Sequence, residues 1–123
     1  MNGADAIVKC LEAEGVSTVF GYPGVAICPF YNSILESDIR TILIRTEQNA
    51  AHAASGMARM TGKPGVCAVT SGPGATNVIT GIATAYAKEG ANLVITGRNV
   101  KAQIAVWLIP GVRIFSEIKA ASL

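Results

Sequence analysis

The chain has 123 residues, which allows one domain with one hydrophobic core, because chains divide into further domains only well beyond about 200 residues. Hydrophobic residues make up 50% of the chain and charged residues 15%, whereas an average globular protein has about 25% charged residues. The low charge content predicts a surface that a partner covers, and a net charge of +2 without a run of Lys or Arg excludes a nucleic-acid footprint.

The first part of the chain predicts a helix followed by a strand, a loop and a second helix. Apolar residues recur at helical spacing over residues 3–14, and Gly15 follows as a C-cap. A short buried strand is predicted over residues 17–20 and a glycine- and proline-containing loop over residues 21–24. Helical periodicity resumes over residues 26–35.

The same unit then repeats twice. Strands are predicted over residues 39–44, 66–70 and 92–96, and helices over residues 47–60 and 76–87. Strands that alternate with helices over such lengths are typical of βαβ units. We therefore predict the α/β class, with a parallel sheet and helices on both faces.

The alternation stops before the tail, residues 98–123. Residues 104–109 form an apolar run that Pro110 ends, and residues 112–115 are a candidate last strand. The pattern assigns no further structure to this divergent tail, which we expect to continue the same domain, residues 1–97.

Membrane insertion and export are both excluded by polar residues. The uncharged stretch over residues 64–87 contains Ser71, Gly72 and Pro73, whereas a spanning helix needs about 20 mostly apolar residues. Charged residues near the N-terminus leave no apolar signal-peptide core. We predict a cytoplasmic protein.

The cysteines predict thiols without a metal or disulfide role. Cys10, Cys28 and Cys67 are odd in number, widely spaced and lack a Cys-x-x-Cys pair, and only His52 is available as a co-ligand. We expect three buried free thiols and no metal site, with His52 as a hydrogen-bonded packing residue.

Three loops are candidates for a ligand site, because ligands of parallel α/β sheets bind at the carboxyl ends of the strands. In residues 45–47, Glu47 has two interpretations: a first-turn acid that complements the helix dipole, which the residues alone favour, or a carboxyl buried at a ligand loop. Residues 71–75 form a glycine loop without the Lys of a Walker A motif, so a tight turn and a ligand loop both stay open. The third loop covers residues 21–24.

Taken together, these segments resemble the acetolactate synthase family of thiamine diphosphate enzymes from Met1 through about Gly97. The residues that carry the resemblance are Val19-Phe20-Gly21-Tyr22-Pro23-Gly24, Glu47-Gln48, Ala50-Ala51-His52-Ala53-Ala54, Ala58-Arg59, Thr61-Gly62-Lys63, Thr70-Ser71-Gly72-Pro73-Gly74-Ala75-Thr76-Asn77, Thr80-Gly81-Ile82-Ala83-Thr84-Ala85-Tyr86 and Ile95-Thr96-Gly97. The motifs occur in the family's order. The resemblance implies the fold and function of an N-terminal aminopyrimidine-binding (PYR) domain, here as a fragment.

The resemblance implies a role for each candidate residue. Glu47 is expected to be the catalytic glutamate, which hydrogen-bonds the aminopyrimidine of thiamine diphosphate. A loop near that ring and a segment at a subunit boundary are expected to bind the cofactor, through Tyr22, Pro23, Gly24, Ser71, Gly72, Pro73 and Asn77. Thr46 and Val25 depart from the family's usual His and Gly at the edges of this site.

The resemblance also implies that the complete enzyme, a transferase, decarboxylates and condenses 2-keto acids such as pyruvate in branched-chain amino acid biosynthesis. In the family, Mg²⁺ and the diphosphate bind a separate domain through a Gly-Asp-Gly motif, which is absent here. We therefore expect Mg²⁺, and FAD if it is used, only in the complete enzyme, and an inactive isolated chain. The expected partner is a second copy, as in a dimer, or a diphosphate-binding chain.

Two alternatives stay open at this point. One is another thiamine diphosphate decarboxylase or ligase, and the other is a noncatalytic PYR-fold binding or assembly module. We also expect self-association through two helices with few charges, over residues 50–57 and 76–87, whose apolar faces a small domain leaves uncovered.

Overall fold

The computed structural model describes residues 2–87, 92–97 and 104–108. The α-helices within these ranges are α1 (Gly3–Ala13), α2 (Cys28–Ile34), α3 (Glu47–Thr61), α4 (Pro73–Asn77) and α5 (Ile79–Ala87). The strands are β1 (Thr18–Tyr22), β2 (Arg40–Leu43), β3 (Gly65–Val69), β4 (Asn92–Gly97) and β5 (Ile104–Leu108).

The strands form one sheet in the order β2-β1-β3-β4-β5. The four strands predicted from sequence pair with one another in parallel, which confirms the predicted parallel sheet. β5 extends the sheet beyond β4 in the antiparallel direction, a pairing that the sequence pattern did not predict. The segment between β4 and β5 is too short for the crossover that a parallel pair needs. The candidate strand at residues 112–115 lies outside the described residues.

Helices cover both faces of the sheet, as predicted. One face, here called the aliphatic face, consists of Ile7, Val8, Leu11, Val19, Ile27, Phe30, Ile34, Ile39, Val66, Ala68 and Ile95. The other, the alanine face, consists of Ala50, Ala51, Ala54, Cys67, Val69 and Val78, with Phe20, Ile44 and Ile82 packed against it. β3 is buried along its whole length and contributes alternate residues to both faces, as expected of a central parallel strand.

The helix boundaries follow caps that can be recognised in the sequence. The Asn2 side chain accepts hydrogen bonds from the Ala4 and Asp5 backbone N–H groups and caps α1. Gly62 ends α3 in the left-handed conformation, with φ of +69°. The predicted glycine loop over residues 71–75 is shorter than expected, because α4 already begins at Pro73, whose fixed φ suits a first helical position.

Part of the α3 surface on which we expected self-association is covered within the monomer, because α3 and α5 pack against each other. The self-association itself stays a prediction. Ala50, Ala51 and Ala54 are fully buried. A Cβ placed on Gly81 of α5 would collide with the Cβ of Ala51, so the two helices are in close contact. On α5, Ile79 and Tyr86 remain exposed on the opposite side of the helix.

The expectation of three buried thiols is also wrong. Cys67 is buried on the alanine face, and burial raises the pKa of its thiol to about 12. Cys10, on α1, is half-buried. Cys28 is exposed, because the residues of α2 that face the core are Phe30 and Ile34. Within the residues that the structure describes, no helix is long and apolar enough to cross a membrane.

Candidate functional site

Three loops meet at one edge of the sheet, as the sequence predicts. β2, β1 and β3 are adjacent and parallel, so the residues that follow Leu43, Tyr22 and Val69 all leave the sheet at its carboxyl edge. The loop after β2 leads to Glu47, and the loop after β3 leads to Gly72 and Gly74. The candidate residues are therefore neighbours in space despite their separation in sequence.

Thr70 joins two of these loops. A Cβ on Gly24 would lie 2.6 Å from the Thr70 Cβ, and a Cβ on Gly74 would lie 2.7 Å from the Thr70 Cγ2. The half-buried Thr70 side chain thus occupies the space that both glycines leave open. Sequence reasoning did not single out Thr70. The available signal was its position as the last residue before a glycine loop.

Glu47 is the first residue of α3, and the preceding residue fixes the start of this helix. The Thr46 hydroxyl accepts a hydrogen bond from the Asn49 backbone N–H at 3.3 Å and caps α3. Because Glu47 begins α3, its carboxyl lies at the helix N-terminus, where negative charge is stabilised. The residue is half-buried, so the carboxyl still reaches the surface of the site. Both interpretations made from the sequence are compatible with this position.

The Glu47 carboxyl is hydrogen-bonded to α4 through one of its oxygens. The Asn77 amide donates a hydrogen bond from Nδ2 to Glu47 Oε2 at 3.1 Å. Glu47 Oε1 lies 3.5 Å from the position that a Cβ on Gly74 would occupy. The carboxyl therefore bridges α3 and α4, with one oxygen held by an amide and the other directed toward backbone that carries no side chain.

The other candidate residues end or follow β1 and β3 at the same edge of the sheet as this carboxyl. Tyr22 is 39% exposed, Pro23 and Pro73 are exposed, and Ser71 is half-buried. Within the described residues, no hydrogen bond joins any of them to Glu47. No Cβ contact would form within 4 Å of Gly72, so the backbone there is accessible. The edge is an open surface, and an occupant needs a second surface to enclose it.

A separate cavity of about 490 Å³ lies between α1 and α2. Its lining includes Asp5 and Ser33, whose hydroxyl donates to Asp5 Oδ1 at 2.6 Å, and this hydrogen bond is the main cause of the lowered pKa of Asp5. The Asn2 backbone N–H also donates to Asp5, at 2.8 Å. These polar groups are satisfied by one another, which indicates a structural link between the helices. Glu47 and the glycine loops are not part of this cavity.

The chemistry available at the carboxyl edge is hydrogen bonding to a flat polar ligand. Glu47 Oε1 accepts no hydrogen bond from the described residues, and the open backbone at Gly72 lets a ring approach the main chain, whereas Thr70 fills the space beside Gly24 and Gly74. In the described ranges, no group of three His, Cys, Asp or Glu side chains is placed to hold a metal ion. The His52 side chain, half-buried on α3, makes no hydrogen bond to the described residues, contrary to expectation.

Comparison with known proteins shows the family of the chain. The family model described as "Thiamine pyrophosphate enzyme, N-terminal TPP binding domain" matches residues 1–118. The chain is 54% identical over 123 residues to a "Probable acetolactate synthase large subunit" of Methanocaldococcus jannaschii. This alignment covers 100% of this chain and 20% of the relative. It is also 54% identical over 98 residues to the acetolactate synthase isozyme 2 large subunit of Escherichia coli. This second alignment covers 80% of this chain and 18% of the relative.

A third relative, a "Probable acetolactate synthase large subunit" of Methanococcus aeolicus, is 51% identical over 123 residues, which is 100% of this chain and 20% of the relative. The two methanogen alignments extend past Gly97, the limit of the resemblance found in the motifs. The chain spans about a fifth of the length of the relatives it matches.

Proposed function

The chain belongs to the family of N-terminal thiamine pyrophosphate-binding domains of thiamine pyrophosphate enzymes, and from this premise we propose that the β1–β3 edge binds the aminopyrimidine half of that cofactor, thiamine diphosphate. The observation that carries the proposal is the Glu47 carboxyl, held by Asn77 beside Gly74 with one oxygen open to a ligand. A carboxyl suits a ring nitrogen as a hydrogen-bond partner, and the open backbone at Gly72 admits a flat ring.

In this proposal each candidate residue has a part in binding. Glu47 would be the catalytic residue and would form a hydrogen bond with the ring through Oε1. The end of β1 and the loop after it, with Tyr22, Pro23 and Gly24, and the segment after β3, with Ser71, Gly72 and Pro73, would hold and position the ring. Asn77 would contribute through Glu47. A carboxyl at hydrogen-bond distance from the ring is the kind of group that acid–base work on the ring requires.

We propose that the whole protein is an acetolactate synthase that decarboxylates and condenses 2-keto acids such as pyruvate in branched-chain amino acid biosynthesis. The names of the relatives at 51–54% identity support this activity. When bound, the cofactor supplies an electron sink for the decarboxylation. The residues of this chain would bind and orient its ring and exclude water from one side of it.

The open carboxyl edge supports the further proposal that another surface completes the site. This surface belongs to a diphosphate-binding domain, of a second copy or of a partner chain, and holds the diphosphate and Mg²⁺. FAD in the complete enzyme, a cytoplasmic location and a domain limit near Gly97 stay predictions of the sequence. On this proposal the 123-residue chain alone has little or no acetolactate synthase activity.

Calorimetry with thiamine diphosphate and Mg²⁺, with and without a diphosphate-binding chain, tests the proposal. We expect tight binding only in the presence of both chains. Glu47→Gln is expected to weaken this binding about 10-fold, the loss typical of one hydrogen bond to a charged group. The matched control is Glu14→Gln, at the exposed end of α1 and outside the candidate site.

A second measurement follows the exchange of the cofactor's C2 proton for deuterium by NMR. Glu47→Gln is expected to slow this exchange at least about 100-fold at saturating cofactor, a loss in the range of removing a general acid–base group, while Glu14→Gln leaves it unchanged. Affinity and exchange that are both unaltered in Glu47→Gln would remove Glu47 from the site and refute the proposal.

A further inference from the structure

We infer that Asn77 is a positioning residue, which holds Glu47 by Oε2 and so assigns Oε1 as the oxygen that meets the ligand and carries the proton. The inference rests on the proposed function of Glu47, and it gives Asn77 a role that acts through the carboxyl instead of through direct contact with the cofactor.

The backbone around Asn77 is well anchored, which makes its side chain a suitable support. Asn77 is the last residue of α4, and the next residue, Val78, is 1% exposed in the alanine face. The Thr76 N–H donates to the Gly72 carbonyl at 3.0 Å, and the Val78 N–H donates to the Ala75 carbonyl at 3.4 Å. These contacts fix where the Asn77 amide can reach, although 30 residues separate it from Glu47.

The chemistry of the pair assigns the two carboxyl oxygens. An amide NH₂ group donates hydrogen bonds and accepts none, so Oε2 must remain an acceptor as long as it faces Asn77 Nδ2. A proton that the carboxyl gains or releases is therefore placed on Oε1. This oxygen lies on the side of Gly74, away from the Asn77 amide, and it accepts no hydrogen bond from the described residues.

The same contact adds little to the stability of the fold. Asn77 is exposed, and an exposed hydrogen bond competes with water. Removal of the amide is expected to leave the melting temperature of the chain unchanged within about 2 °C, since surface substitutions generally change stability only slightly. An effect on the carboxyl without an effect on folding is the expected signature of a positioning residue.

The first test uses the 123-residue chain without cofactor. In ¹⁵N–¹H NMR spectra, the Asn77 side-chain amide is expected to be displaced from the position typical of a solvated amide, for which the exposed Asn32 is the internal reference. Glu47→Ala is expected to return the Asn77 signals to that position and to leave those of Asn32 unchanged. Asn77 signals that do not respond to Glu47→Ala would overturn the inference.

The second test uses the complete assembly, with the diphosphate-binding domain present. Asn77→Ala removes the donor and is expected to slow C2 proton exchange about 10-fold at saturating cofactor. Asn77→Asp places a like charge against Glu47 and is expected to slow the exchange about 100-fold. The dissociation constant of thiamine diphosphate is expected to change less than about 3-fold in both variants, because a displaced Glu47 carboxyl affects the reaction of the ring more than its binding. Asn32→Ala is the matched control.

The outcomes separate the inference from the proposal beneath it. Slower exchange with unchanged cofactor affinity supports a positioning role. Weaker cofactor binding with an unchanged saturated rate means that Asn77 touches the cofactor directly, and exchange equal to that of the parent protein means that it has no role; both overturn the inference. If Glu47→Gln itself leaves exchange unaltered, the proposed function fails first, and the inference with it.

Discussion

The two faces of the sheet are packed by different means. The aliphatic face is filled with large side chains such as Phe30, Leu11 and Ile27, each fully or almost fully buried. The alanine face is filled with Ala50, Ala51 and Ala54, and Gly65 of β3 and Gly81 of α5 have no space for a Cβ. Large side chains hold helices at a distance from a sheet, and small ones let the main chains approach each other.

This difference bears on function, because the candidate site is attached to the alanine face. Glu47 begins α3, and Asn77 ends α4, which leads through the buried Val78 into α5. Close packing of main chains leaves few alternative positions for these helices. The aliphatic face, by contrast, buries more apolar area for each residue and contributes more to the free energy of unfolding. We interpret one face as the main source of stability and the other as the support of the site.

The largest expected effect is on the aliphatic face. Phe30→Ala removes a fully buried ring that also makes an edge-on contact with Tyr31, with ring centroids 5.5 Å apart. Loss of the ring and the cavity it leaves are expected to lower the free energy of unfolding by about 3–5 kcal/mol, measured by urea denaturation. A loss below about 1 kcal/mol would mean that this face is not the main source of stability.

The next effect tests the close approach on the alanine face. A Cβ on Gly65 would collide with the Ala54 backbone carbonyl, which cannot move without displacing α3. Gly65→Ala is expected to lower the free energy of unfolding by about 3 kcal/mol. Gly56→Ala is the control, because Gly56 is exposed within α3 with no atom within 4 Å of an added Cβ, and it is expected to raise that free energy by about 0.5–1 kcal/mol. Equal effects of the two substitutions would contradict the close packing.

A smaller effect concerns a hydrogen bond that joins the aliphatic face to the central strand. The Tyr31 hydroxyl donates to the Ala68 carbonyl at 2.9 Å, and burial raises the pKa of Tyr31, so the group remains a donor at neutral pH. Tyr31→Phe is expected to lower the free energy of unfolding by about 1 kcal/mol. The measurement is the shift of the urea midpoint at unchanged slope, and a shift of the opposite sign would show that the bond contributes nothing.

The smallest effect is a gain on the alanine face. Ser55 is 3% exposed, and its hydroxyl has no hydrogen-bond partner within the described residues. Ser55→Ala fits the surrounding pattern of α3, avoids the cost of an unpaired hydroxyl and is expected to raise the free energy of unfolding by at most about 1 kcal/mol. Destabilisation by Ser55→Ala in thermal unfolding would show that the hydroxyl is bonded in solution.

Local patterns predicted most of the fold. The apolar runs that became β1 to β4 alternate with helical spacings, and a buried parallel sheet follows from that alternation. The N-terminal start of α3 at Glu47 and its end at Gly62 were also predicted, since caps are local signals. The direction of β5 was not predicted, because it depends on pairing with a distant strand edge. The early start of α4 was not predicted either, because a loop accommodates Pro73 as well as a helix does.

The sequence by itself determined that three loops carrying the candidate residues meet at one edge, because its alternating strands and helices specify a parallel sheet. Only the tertiary structure decided how those residues meet: that the Thr70 side chain lies against Gly24, that Asn77 donates to one oxygen of Glu47, and that Ala51 of α3 lies against Gly81 of α5. Periodicity and caps act over a few residues, whereas these contacts join positions about 30 residues or more apart. Their geometry depends on how closely α3 approaches the sheet, which is set by packing.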